Sequence, residues 1–139
     1  MTTPQFHCLE VSEVQAVTRD AVALTFAVPE HLTQTFNYVQ GQYLTLRTVL
    51  EGQELRRSYS ICAAVQEHRL RVAIKRVAGG LFSNWAAEQL KPGAVIEVMP
   101  PQGHFNIPLA PESTRHIVAF ASGSGITPVL SILKTTLLA

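Results

Sequence analysis

The sequence predicts a mainly β fold: a six-stranded antiparallel barrel with Greek-key connections and one short helix, followed by the first β-α unit of an α/β domain. Three observations predict it. Six short β-like runs lie between Val11 and Met99, separated by turn residues. A single helix-like stretch, Phe82–Leu90, interrupts them late. Beyond Pro108 the grammar changes to a continuous apolar run, a glycine-rich turn and a helical stripe.

Two runs fill Val11–Val28 and meet at Arg19-Asp20. In the second, Val22, Leu24, Phe26 and Val28 alternate with Ala23, Thr25 and Ala27, and Pro29 stops it because proline cannot donate to a ladder. Tyr43–Val49 carries Leu44 and Leu46 on one face. Glu51-Gly52 supplies a hairpin turn in which Gly52 can take positive φ. Glu54–Ala64 returns with Leu55, Tyr59 and Ile61. Leu70, Val72 and Ile74 alternate with Arg71, Ala73 and Lys75, a half-buried strand. Gly79-Gly80 breaks the β pattern. Ser83 is the expected N-cap of the helix Phe82–Leu90, and Lys91-Pro92-Gly93 stops it. Ala94–Met99 is the sixth strand, closed by Pro100-Pro101.

Pro108–Pro111 reads as a linker. It divides the chain into a barrel domain, residues 1–110, and the start of an incomplete second domain, residues 111–139. There His116–Ala121 is expected as a strand buried on both faces, and Ser122–Gly125 as a tight turn. Ile126–Leu138 is expected as a helix with Ile126, Val129, Leu130, Leu133 and Leu137 in one stripe and Pro128 in its first turn.

Composition excludes several function classes. The 11 Lys+Arg and 10 Asp+Glu give +1 with neutral His, so no basic field holds nucleic acid or an anionic membrane. An oligonucleotide-binding barrel is further disfavoured by the lack of clustered Lys and Arg with interleaved aromatics. Charged residues make up 15% and hydrophobic ones 47%, the balance of a packed chain rather than a disordered one. Cys8 and Cys62 are too few for a four-thiolate iron–sulfur cluster or zinc site and are expected as buried, reduced thiols. The five His are scattered without metal spacing, and no metal is expected. No signal segment opens the chain, and no apolar run nears the ~18 residues that span a bilayer. A soluble cytoplasmic protein is expected.

Two constellations carry chemistry. Arg57-Ser58-Tyr59-Ser60 lies on a strand, with Arg57 and Tyr59 on one side and Ser58 and Ser60 on the other. A guanidinium clamps phosphate bidentately, an aromatic ring offers a flat surface to a planar heterocycle, and hydroxyls supply short polar contacts. Alone, the segment also fits a half-exposed strand of mixed polarity. Gly79-Gly80-Leu81-Phe82-Ser83 opens the helix. Glycines let a ligand approach the backbone, and the unpaired N–H groups and positive dipole end attract an anion, typically phosphate. Alone, this segment also fits a plain glycine turn with a serine cap. Trp85, one turn from Leu81, reads as packing. No Ser–His–Asp or paired-carboxylate arrangement is legible.

In this order the motifs resemble the ferredoxin–NADP reductase-like flavoproteins. The resemblance rests on Arg57-Ser58-Tyr59-Ser60, on Ile74-Lys75 followed by Gly80-x-x-Ser83, on Pro101-x-Gly103-x-Phe105, and on Gly123-Ser124-Gly125-Ile126-Thr127-Pro128. Glu54–Cys62 and Val98–Phe105 are similar, more finely, to reductase components of multicomponent oxygenases, above all the reductase of the phenylacetyl-CoA epoxidase system. That family joins a flavin barrel, a nicotinamide domain and a C-terminal [2Fe–2S] domain, and the resemblance covers the first part of such a reductase.

The resemblance implies a cofactor, FAD, and a role for each matched residue. Arg57 would pair with the flavin phosphate, with Ser58 beside it. Tyr59 would lie against the ring, and Ser60 would hydrogen-bond it near the hydride-accepting atom; these two are the implied catalytic residues. Ile74 and Lys75 would contact the ring mainly through backbone. Gly80, Leu81, Phe82 and Ser83 would hold the pyrophosphate, which favours FAD over FMN. Thr127 would face the ring across the domain cleft, and Gly123 and Gly125 would admit the pyrophosphate of NADPH or NADH. The implied function is a reductase module passing electrons from NAD(P)H through FAD to an iron–sulfur domain or oxygenase component in phenylacetate degradation. The alternative is a flavin-binding module without turnover of its own.

Overall fold

The computed structural model describes residues 5–139. The six strands are β1 (His7–Thr18), β2 (Ala21–Ala27), β3 (Tyr43–Leu50), β4 (Gln53–Ser60), β5 (Leu70–Lys75) and β6 (Val95–Val98). They form one antiparallel sheet in the order β4-β3-β6-β1-β2-β5. The helix α1 (Leu81–Gln89) joins β5 to β6, and α2 (Ile126–Leu138) closes the chain. β6 enters between β3 and β1, the crossover of a Greek-key arrangement.

Each strand follows from its sequence. Leu9 and Val11 of β1, Leu24 and Phe26 of β2, Leu44 and Leu46 of β3, and Val72 and Ile74 of β5 point into one apolar core, as period-two alternation requires. β1 is long enough to pair with two partners. His7–Glu10 lies on β6 and Glu10–Thr18 on β2, with register shifts after Val11 and Ala16. Such bulges bend a strand and steepen its twist, which lets the sheet curl. Glu51 and Gly52 both take positive φ (52° and 76°) between β3 and β4. That pair of conformations suits a two-residue hairpin, and glycine adopts its half without a Cβ penalty.

The curl stops short of a closed barrel. Among the described residues, the edge strands β4 and β5 are joined only by a bridge just past β4, Ile61 to Val72, backed by the Cys62 N–H to the Arg71 carbonyl at 2.9 Å. Elsewhere along their length the two edges leave a gap. Phe82 and Ala86 of α1 cap the core beside it.

Two expectations are corrected. Cys8 is exposed and Cys62 half-buried; alternation that sends Leu9 and Val11 inward sends Cys8 outward. His116–Ala121 forms no strand. A parallel strand draws its hydrogen bonds and its cover from neighbours, and no other described segment pairs with it. Val118 and Phe120 are accordingly 76% and 90% exposed. The helix after it forms over the expected residues, but its apolar stripe is not the face it buries: Ile126, Leu130 and Leu137 are exposed, Val129 and Leu133 are half-buried, and the buried positions are Ser131, Ile132 and Thr135. Among the described residues no helix is long and apolar enough to cross a membrane.

Candidate functional site

β4 presents the Arg57–Ser60 segment beside the gap. Arg57 stands opposite Leu46 and Tyr59 opposite Leu44, so the two share a face, as expected. Ser58 lies on the other, its Oγ 2.9 Å from Thr45 Oγ1. The Arg57 guanidinium is exposed and donates to the Arg56 carbonyl at 2.7 Å. Among the described residues it enters no ion pair. Its neighbour Arg56 is engaged instead, with Glu54 and over the Phe6 ring.

Tyr59 is half-buried and leans on Phe82, ring centroids 6.0 Å apart. Phe82 is itself held edge-on by Trp85 at 5.6 Å, which gives Trp85 the packing role read from sequence. Burial pushes the Tyr59 phenol above its ordinary pKa, against the opposing charge of Arg57. The ring therefore stays neutral at physiological pH, suited to stacking.

Tyr59, Ser58 and Ser60 line a cleft of about 340 Å³ with Ala73, Lys75 and Val77 on one side and Ser124 and Thr127 across it. The cleft runs along the gap between β4 and β5. A cavity of about 570 Å³ adjoins it, sharing Ala73, Lys75, Ser124 and Thr127, with Gly123 and Cys62 on its wall. Ile74 is fully buried, so only its backbone can reach a ligand. Gly125 lines neither cavity. Thr127 Oγ1 donates to the Ser124 carbonyl at 2.9 Å, closing the turn Gly123–Gly125 on the first residues of α2.

The α1 start differs from the expected cap. Gly80, not Ser83, is the N-cap residue, and no side chain caps the helix. Ser83 sits one turn in, and its Oγ accepts the Val77 N–H at 3.0 Å. A Cβ on Gly80 would stand 2.8 Å from that oxygen, so glycine is required for the close approach. Leu81 is exposed and Phe82 is core; the Gly80 N–H is taken by the Val77 carbonyl at 2.8 Å, so what the turn offers outward is the backbone N–H groups of Leu81–Ser83, unpaired as in any first helical turn. Two residues the sequence reading missed brace this turn. Asn84 Nδ2 donates to the Gly80 and Val77 carbonyls at 2.7 and 2.8 Å, and Arg76 Nε donates to Asn84 Oδ1 at 2.8 Å. The available signal was an Asn four residues after a glycine pair.

The arrangement therefore offers an unpaired guanidinium, an uncapped helix end, a neutral aromatic plate and a cleft between two strand edges. These fit a phosphate-bearing planar heterocycle. A family model described as the oxidoreductase FAD-binding domain matches residues 8–107. The chain belongs to that family. It lies within the ferredoxin–NADP reductase-like superfamily, and its resident cofactor is FAD. Over 137 residues it is 47% identical to a component of the 1,2-phenylacetyl-CoA epoxidase of Escherichia coli (strain K12), covering 99% of this chain and 38% of that relative. The chain thus spans well under half of the relative's length. Among solved structures, the flavohem-like FAD/NAD-binding domain of nitric oxide dioxygenase from Vibrio cholerae O1 biovar El Tor superposes with a TM-score of 0.79 at 27% identity, covering 92% of this chain and 55% of that one. Phthalate dioxygenase reductase, described as a modular structure for electron transfer from pyridine nucleotides to [2Fe–2S], gives 0.69 at 28% identity, covering 96% and 40%.

Proposed function

We propose that this FAD-binding module works within an NAD(P)H-dependent reductase that passes electrons through FAD to an iron–sulfur carrier or oxygenase component, in phenylacetate degradation. The observation that carries the reading is the convergence of Tyr59, Ser60, Lys75 and Thr127 on one cleft beside an uncapped helix end. The similarity to a phenylacetyl-CoA epoxidase component supports the pathway, and that to phthalate dioxygenase reductase supports the direction of electron flow. A cytoplasmic location belongs to the same proposal, since the reductant is a soluble nucleotide.

In this reading residues 1–110 are the FAD barrel and 111–139 the opening of the NAD(P)-binding part. The family match ending at 107 supports the boundary. Bound FAD supplies a ring that accepts a hydride and hands electrons on. The chain's residues position it. Arg57 meets the flavin phosphate, Ser58 lines the cleft from the other face of β4, and the backbone N–H groups of Leu81, Phe82 and Ser83, on the turn that Gly80 opens, meet the second phosphate. Tyr59 stacks on the ring, while the Ser60 hydroxyl and the Ile74 and Lys75 backbone meet its edge. Thr127 faces the ring from α2, and Gly123 and Gly125 leave room for the nicotinamide cofactor's pyrophosphate. A second reading, FAD binding without turnover by these 139 residues, is favoured by the unpaired His116–Ala121 segment.

Fluorescence-quenching titration with FAD and FMN tests the site. FAD is expected to bind about tenfold tighter, the scale of one charge-assisted hydrogen bond at Gly80–Ser83. Equal affinity would refute the second phosphate site.

A further inference from the structure

We propose that Ser131 and Thr135 are positioning residues that fix the Gly123–Thr127 turn across the cleft from Tyr59 and Ser60. The proposal rests on reading that cleft as the flavin site. A helix docked by an apolar stripe can settle in more than one register at similar energy, because dispersion and burial are non-directional. α2 does not dock that way. The side chains it buries are Ser131, Ile132 and Thr135, and both polar ones are fully buried.

Each polar bond of this seam ends on one short segment of the barrel. Ser131 Oγ donates to the Ala63 carbonyl at 2.7 Å. The Val65 N–H donates to Thr135 Oγ1 at 3.0 Å, and Gln66 Nε2 donates to the Thr135 carbonyl at 3.0 Å. Lys134 Nζ meets Glu67 Oε1 at 2.7 Å, while the other carboxylate oxygen of Glu67 accepts the Ala64 N–H at 2.6 Å. The receiving segment begins three residues past Ser60, directly after the Ile61–Val72 bridge that ties β4 to β5.

The geometry makes the seam a ruler. Thr127, Ser131 and Thr135 are spaced by four residues, so they lie on one face of α2. Thr127 is thus one turn, about 6 Å, from the Ser131–Ala63 bond. Its own hydroxyl ties it to the turn at Ser124. A directional bond at Ser131 and another at Thr135 set both the axial register and the rotation of the helix. Through them Thr127 is referenced to the strand that carries Tyr59 and Ser60.

The test uses the whole chain with Ser131→Ala, Thr135→Val, the pair together, and Thr135→Ser as the conservative variant. Segment-resolved amide hydrogen exchange is read with and without FAD, and iodide quenching of bound-FAD fluorescence is read alongside. In the double variant, exchange of amides 124–130 is expected to rise about tenfold, the scale of one lost buried hydrogen bond. The β5 amides and FAD affinity should hold steady, iodide quenching should increase, and Thr135→Ser should restore both readouts. Unchanged exchange at 124–130, or exchange rising equally in β5, overturns the proposal. If the double variant fails to fold, Gln66→Leu removes one seam donor without a cavity, and loosening confined to 124–130 is again required. If the unsubstituted chain binds no FAD, the cleft reading falls, and exchange in the apo chain still decides whether the seam fixes the turn.

Discussion

Replacing Arg57 by alanine isolates the phosphate contact from the fold. The guanidinium is exposed, stands on the Tyr59 face of β4, and among the described residues makes one hydrogen bond, to the adjacent Arg56 carbonyl. Its removal opens no cavity and leaves no buried carboxylate unpaired, so the unfolding free energy should move by less than about 0.5 kcal/mol, as for other surface substitutions. Binding should respond much more. A hydrogen bond to a charged group is worth about 1.5–3 kcal/mol, roughly 10- to 150-fold in Kd for FAD. Arg57→Lys keeps the charge but loses the planar fork and should fall between. Arg56→Ala is the control: one residue away, with the same charge, but turned to Glu54 and Phe6, it should bind FAD as the unsubstituted chain does. Titration of each variant by flavin fluorescence, with urea unfolding alongside, reads both quantities. Full affinity in Arg57→Ala, or an equal loss in Arg56→Ala, would refute the assignment and return Arg57 to the strand surface.

Two further outcomes are expected. Burial, and next the charge of Glu67, push the Tyr38 phenol up to about 12; its hydroxyl donates toward the Ala64 carbonyl at 2.7 Å and the Arg69 carbonyl at 3.1 Å. Because the folded pKa lies above the ordinary value of 10.0, the associated stability is intact below pH 10 and lost as pH rises through about 12. Urea midpoints across that window should fall less steeply for Tyr38→Phe than for the unsubstituted chain, and parallel slopes would contradict it. Separately, FAD-loaded chain in stopped flow should be reduced by dithionite but only slowly by NADPH or NADH. Hydride transfer needs donor and acceptor held about 3–3.5 Å apart, and no described strand beside His116–Ala121 anchors the nucleotide. Flavin bleaching as fast as in a full-length reductase would sink that expectation.

The barrel was legible because its signals are local. Arg19-Asp20, Glu51-Gly52 and Lys91-Pro92-Gly93 each mark a real turn, and alternation places Leu44, Leu46, Val72 and Ile74 in the core. Within the candidate site, Arg57–Ser60 stands out by chemistry, whereas Lys75 and Thr127 are singled out only by the family resemblance. What escaped depends on distant partners. The periodicity of α2 reports which face is apolar, not which face meets the barrel; that Ser131 is buried depends on a carbonyl at Ala63. Ser83 looked like a cap because its hydroxyl suits one, yet the nearby Val77 N–H takes it. His116–Ala121 has the composition of a buried strand, but composition supplies no neighbours.

The gap between β4 and β5 also bears on how the chain behaves when empty. Along it each edge strand carries backbone donors and acceptors that no ladder uses, the kind of edge that templates pairing with another chain. A planar ring with N–H and C=O groups on its rim would take up those bonds at Ser58–Ser60 and Ala73–Lys75 much as a seventh strand would. The backbone supplies the contacts, so Ile74 can serve a ligand while its side chain remains sealed in the core. Cofactor loss then removes more than a redox centre: it uncovers two edges at once, and the apo chain should self-associate at concentrations where the loaded chain stays monodisperse.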